Sequence, residues 1–187
     1  MRQLLPLLLV LLGSPASAGI LLEATFQGVP VTVELGLVAD KAVVTVAGER
    51  RVMALAPSLP AGPPGFRLAS WSSGPMVAGY GTGYAVLSRD GTICGEVLAA
   101  AWMAPFLEPA ARALAQLQAE TPSLAPRDGG CGPIPFATWA MRGFPLMAGE
   151  RRAPVLVTTR LRFDQPPPAE LLPPPVSAAS PAPSVPP

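Results

Sequence analysis

The chain has 187 residues with 13 basic, 12 acidic and no histidine side chains, 26 prolines and two cysteines. Lacking histidine, it cannot build Ser-His-Asp, Cys-His or His-based zinc chemistry, and two cysteines cannot make a Cys₄ site within one chain. The near-zero net charge argues against nucleic acid or an anionic membrane as an electrostatic partner.

The first 18 residues, MRQLLPLLLVLLGSPASA, read as a Sec-type signal peptide. Arg2 is the positive start, Leu4 to Leu12 the apolar run, and Ala16-Ser17-Ala18 a small-x-small cleavage site. The apolar run is far shorter than the roughly 20 residues of a spanning helix, so no transmembrane segment is expected after cleavage. Gly19 rather than Cys follows Ala18, so no lipobox is present. The expected location is periplasmic or secreted. Cleavage removes Arg2 and leaves equal numbers of acidic and basic side chains.

Residues 19–164 are enough for one domain with a real core. Residues 20–37 predict two strands, with Val31, Val33 and Leu35 alternating with Thr32, Glu34 and Gly36, and Gln27-Gly28 as turn or bulge. A third strand is expected over 41–46, a polar turn at 48–50, and extended structure over 51–55. Residues 56–65, with four prolines and two glycines, are a loop. Phe66 to Trp71 predicts a brief strand. Asp90-Gly91 predicts a hairpin between strands at 84–88 and 92–99. Gly79, Gly81 and Gly83 around Tyr80 fit a bulge or close backbone packing; no Lys-Ser/Thr or helix follows, as a phosphate loop requires.

Residues 104–120 predict the main helix. Pro105 and Pro109 suit a first turn, placing its regular start near Glu108 or Pro109. Leu107, Ala110, Leu114 and Leu117 share its apolar face. A loop over 122–133, a short helix over 135–141, a strand over 143–147, a turn at 150–152 and a strand over 155–163 follow. The last strand alternates Val155, Val157, Thr159, Leu161 and Phe163 against Leu156, Thr158, Arg160 and Arg162. About eight strands, with one or two helices before the last two, make an antiparallel α+β domain. Residues 165–187 hold ten prolines and predict a disordered tail that samples polyproline II.

Cys94 and Cys131 in an exported chain predict a structural disulfide, since neither sits in the C-x-x-C arrangement of a redox pair. On simple alternation, Glu96 shares a face with Cys94 and Leu98. It is either a solvated or Arg-paired strand residue or a polar contact within a pocket. Trp71, Tyr80, Tyr84, Trp102 and Trp139 are candidates for lining an apolar pocket, with core packing as the alternative. No catalytic, metal or cofactor site is expected.

Several segments together carry a resemblance. They are Gly79-Tyr80 and Tyr84, Cys94-Gly95-Glu96-Val97, Trp102, the 105–120 helix, Gly143-Phe144-Pro145-Leu146, and the strand ending before Gln165-Pro166. In this order they look like an exported bacterial domain-of-unknown-function family, similar to the LolA/LppX-like lipoprotein-carrier superfold. The resemblance implies a strongly curved antiparallel sheet, an incomplete barrel, capped by helices over an apolar cavity. It further implies a non-enzymatic protein that binds a lipid-like ligand or a lipidated partner. The alternative is an envelope protein-protein interaction module using the Pro-rich tail or a sheet edge.

Overall fold

A computed structural model of the chain describes residues 19–36, 40–124, 131–150 and 153–172. The signal-peptide segment lies outside these residues. So do residues 173–187 of the Pro-rich segment and the arginines of the turn expected at 150–152.

Nine strands form one antiparallel sheet: β1 (Gly19–Phe26), β2 (Val29–Leu35), β3 (Lys41–Val46), β4 (Glu49–Ala54), β5 (Phe66–Ser73), β6 (Gly83–Arg89), β7 (Thr92–Ala100), β8 (Phe144–Glu150) and β9 (Ala153–Gln165). Their order is β4-β3-β2-β1-β9-β8-β7-β6-β5, so the sheet is open, with β4 and β5 at its edges. Most neighbours in this order are also neighbours in sequence. The exception is β1 against β9, which places the two ends of the domain side by side.

Tight turns explain the meanders. Gln27-Gly28, Ala47-Gly48 and Asp90-Gly91 all have positive φ at both positions, which suits the right-handed twist of two-residue hairpins. The turn expected at 48–50 is therefore one residue earlier, and Glu49 already belongs to β4.

Between β7 and β8 come a 3₁₀ turn (Ala101–Met103), α1 (Ala104–Glu120) and the short α2 (Phe136–Trp139). Together with the open antiparallel sheet they make an α+β fold. The start of α1 departs from expectation. The helix begins at Ala104, and Pro109 lies inside it. Proline there removes one early backbone hydrogen bond, while starting at Ala104 lets the helix bury Leu107.

Both helices cover one face of the sheet. Leu22, Ala24 and Phe26 of β1, Val31, Val33 and Leu35 of β2, and Leu146 and Ala148 of β8 are buried on that face with Leu107, Leu114 and Leu117 of α1. Phe136 of α2 packs edge-on against Phe26 at 5.8 Å and tilted against Phe144 at 6.4 Å. Gln118 joins the helices: its side-chain oxygen accepts the backbone N–H of Phe136 at 2.6 Å, and its amide donates to the Ile134 carbonyl at 3.4 Å. The guanidinium of Arg112 donates to the Ala56 carbonyl at 2.6 Å and approaches Glu108 at 3.0 Å.

Two interruptions of register change which residues share a face. In β9 the partners of Glu23 and Ala24 are Arg160 and Thr158. Thr159 is thus an extra residue, and the single alternation expected along this strand breaks there. Leu156, Thr158 and Leu161 are the buried residues. In β7 the partners of Leu87 and Ser88 are Gly95 and Ile93, so Cys94 is the extra residue. Bulges of this kind bend the strand and re-aim its side chains.

The Pro-rich segment begins later than expected. Gln165 is the last residue of β9, and Ala169–Leu171 form a 3₁₀ turn. This turn packs on β3, where Val43 is buried on the face away from the helices. Glu170 pairs with Arg50, which also pairs with Glu34.

Candidate functional site

Cys94 and Cys131 are joined, with their Cα atoms 5.6 Å apart. The bond ties β7 to the segment leading into α2, and both cysteines are buried in the core. Cys94 and Glu96 do not share a face. Cys94 joins the helix-side core, whereas Glu96 is half-buried on the opposite face with Leu98. The bulge at Cys94 is the reason.

Around Glu96 that opposite face forms a groove of about 320 Å³. Tyr84 comes from β6, Glu96 and Leu98 from β7, Met147 and Glu150 from β8, and Pro75 from the loop after β5. Register brings these side chains together: Tyr84 lies opposite Leu98, and Leu98 opposite Met147. The floor contains Gly149, where a second slip lets two residues of β9 oppose one of β8. Gly149 has φ of +126°, and a Cβ there would lie 2.4 Å from the Val155 nitrogen. Only glycine fits this approach. Tyr84 and Glu96 each have an interaction partner.

The five candidate aromatics divide among three places. Tyr84 lines the groove just described. Trp71 and Trp102 flank a second, more open depression of about 490 Å³ near Gly81, Gly83 and Ala99. The Trp71 indole lies over Gly83, where a Cβ would be 2.1 Å from Trp71 Cζ2; this is the close packing expected of the glycine-rich approach. Tyr80 stands beside that depression. Its ring is 6.3 Å from Trp102 and 6.1 Å from Phe163, and its hydroxyl donates to the Leu161 carbonyl at 3.1 Å. Trp139 is a core residue, about 1% exposed, with no part in either hollow.

Between α1 and the sheet, the space near Leu59, Leu107, Ala111 and Phe144 is only about 100 Å³. Met147, Glu150 and Pro75 were not singled out from the sequence. Their place in the groove depends on β7–β8 pairing and on a loop folding back, neither of which is written in local periodicity.

Among the described residues, no group of three or more acidic or cysteine side chains could hold a metal ion. No helix among them is long and apolar enough to cross a membrane. No protein-family model, curated protein or solved structure matches the chain.

Proposed function

We propose that this chain is an exported, non-enzymatic binding protein for an apolar ligand of lipid or acyl type, in the manner of the LolA/LppX-like carriers. The observation that carries this reading is the groove of Pro75, Tyr84, Leu98 and Met147, with Glu96 and Glu150 as its carboxylates. Its volume of about 320 Å³ falls at the lower end of the usual range for small-molecule sites, roughly 300–1,000 Å³. Apolar walls with a few placed polar groups are the usual composition of such sites. The location differs from the carrier plan, since the groove lies on the helix-free face. In this reading an apolar chain lies across β6, β7 and β8, with any anionic end directed away from Glu96 and Glu150.

The reading is tested by lipid extraction and mass spectrometry of protein purified from its own envelope, together with titration by a dansyl-labelled fatty acid. The expected result is a co-purifying lipid and a blue-shifted dansyl emission, both lost in Leu98→Glu and Met147→Glu. Protein that yields no lipid and leaves the probe unchanged would sink the proposal. Binding that survives both substitutions would place the ligand elsewhere and equally defeat it.

A further inference from the structure

Trp71, Met76, Trp102, Phe106 and Met141 are five of the eight large apolar side chains exposed among the described residues, and they gather at one end of the molecule. Trp71 and Trp102 wall the open depression over Gly83 and Ala99, whose rim includes Gly81. Met76 reaches that rim, since a Cβ on Gly81 would lie 3.9 Å from its Sδ. The 3₁₀ turn that carries Trp102 runs straight into α1, so Phe106 follows one helical turn later on the same side. Gly143 packs on Ala101, and a Cβ on Gly143 would lie 2.6 Å from the Ala101 Cα. This contact brings Met141 and Arg142 to the same end.

Charge is nearly absent here. Residues 71–83, 98–107 and 140–143 contain a single charged side chain, Arg142, which is exposed. Glu108, just beyond them, pairs with Arg112 at 3.0 Å. The exposed indoles are braced rather than loose. Tyr80 stands 6.3 Å from Trp102 with its hydroxyl fixed on the Leu161 carbonyl, and Trp71 lies over Gly83. Contiguous exposed apolar surface marks a site of membrane or protein interaction. Indoles join an apolar ring to an N–H donor and settle at the head-group level of a bilayer. Phenylalanine and methionine beside them reach the acyl boundary. A lone guanidinium among apolar side chains complements the phosphate of a lipid head group.

This end adjoins the Glu96 groove. Pro75, which lines the groove, directly precedes Met76. Tyr84 and Leu98 of the groove alternate with Gly83 and Ala99 of the depression along the same two strands. We propose that Trp71, Met76, Trp102, Phe106 and Met141 dock the protein onto a phospholipid bilayer, with Arg142 on a head-group phosphate, and that lipid passes from the bilayer past Met76 and Pro75 into the groove. The second step rests on the apolar-ligand reading of the groove; the docking step does not. The attraction is apolar burial, so it requires no excess of positive charge on the chain as a whole.

Co-sedimentation with phosphatidylcholine vesicles tests the docking, and the same lipid with brominated acyl chains tests its depth by tryptophan quenching. Trp139 is buried and supplies a constant background. The expected result is sedimentation with the vesicles, a blue-shifted emission and quenching by bromine. Trp102→Ala and Phe106→Ser change exposed positions. Each should weaken partitioning about tenfold, the effect of losing one buried aromatic side chain. Arg142→Glu, which repels phosphate, should weaken it as well. All three variants should still take the dansyl fatty acid from solution. Leu98→Glu and Met147→Glu should still sediment with vesicles while failing to take the probe, so docking and groove fail separately. Protein that stays in the supernatant, or that sediments equally after both aromatic substitutions, would overturn the proposal. A dimer that depends on Trp102 and Phe106 and ignores vesicles would assign the face to a second copy and equally overturn it.

Discussion

Cys94 and Glu96 stand two residues apart in one strand and face opposite sides of the sheet. The extra residue in the β6–β7 register separates them: Cys94 turns into the core, and Glu96 lies on the open face beside Leu98. The thiol chemistry of one and the carboxylate chemistry of the other therefore cannot combine. The disulfide is a fastening of the helix layer, and Glu96 belongs to the groove.

That separation sets the first expectation. The bond closes a loop between positions 37 apart, and removing it is worth about 4 kcal/mol at most on the chain-entropy account. The double variant Cys94→Ala/Cys131→Ala is expected to lose roughly 2–4 kcal/mol in denaturant unfolding. Fatty-acid binding measured well below its unfolding midpoint should be unchanged. Loss of binding in a variant that is still folded would show that the two faces are coupled. Mass spectrometry of the non-reduced protein should find the two cysteines linked.

A second expectation concerns Gln118, which is 8% exposed on the helix layer. Its side chain both accepts from Phe136 N and donates to Ile134 O. These bonds satisfy the first backbone donor of α2, which has no side-chain cap of its own. Gln118→Leu keeps the volume but leaves the buried N–H without a partner, at a cost of about 1–3 kcal/mol. Hydrogen exchange should then accelerate at residues 136–140 more than in β1 or β2. Unchanged stability and uniform exchange would mean that water replaces the side chain at no cost.

The hairpin turns and the alternating faces of β2 were legible in the sequence, for a simple physical reason. Val31, Val33 and Leu35 alternate without interruption, and Gln27-Gly28 and Asp90-Gly91 are tight-turn pairs. The second half was less legible because β7, β8 and β9 each carry an irregularity of register. A bulge leaves the local composition unchanged yet swaps the faces of the residues beyond it. Alternation alone therefore put Glu96 with Cys94, and put Val157 with Leu161. Pairing of Tyr84 and Glu96 in one hollow became visible only once β6 and β7 were aligned. The short helix predicted over 135–141 turns Phe136 and Trp139 inward, but sequence does not separate a core indole from one that lines a pocket. The burial of Trp139 follows from α2 packing between α1 and β8, which brings the indole close to Gly95.

The last expectation is a pH dependence at the segment that follows β9. Glu170 has its carboxyl held below the ordinary glutamate value, first by its own backbone N–H and then by the Arg50 guanidinium. Arg50 is correspondingly raised by hydrogen bonds to Glu34 and Glu170, so it stays charged throughout. A carboxyl whose folded pKa is depressed contributes stability above its unfolded pKa and loses it as pH falls through the folded value. Attachment of the 3₁₀ turn to β3 and β4 should therefore hold at neutral pH. It should begin to weaken below the ordinary glutamate value of 4.5 and be lost once pH has passed the lower folded value. Both charges are well exposed, so salt should weaken the contact too, and the effect on global stability should be small. The readout is local: amide exchange of Ala169–Leu171 and of Val43 beneath them, followed over an acid titration. Glu170→Gln should abolish the pH dependence of the protection, taken relative to the intrinsic exchange rate at each pH, while leaving β1 and β2 unaffected. A titration that is the same in Glu170→Gln and the parent would show that packing of the 3₁₀ turn on β3, with Leu171 over Gly36, rather than the ion pair, holds the segment down.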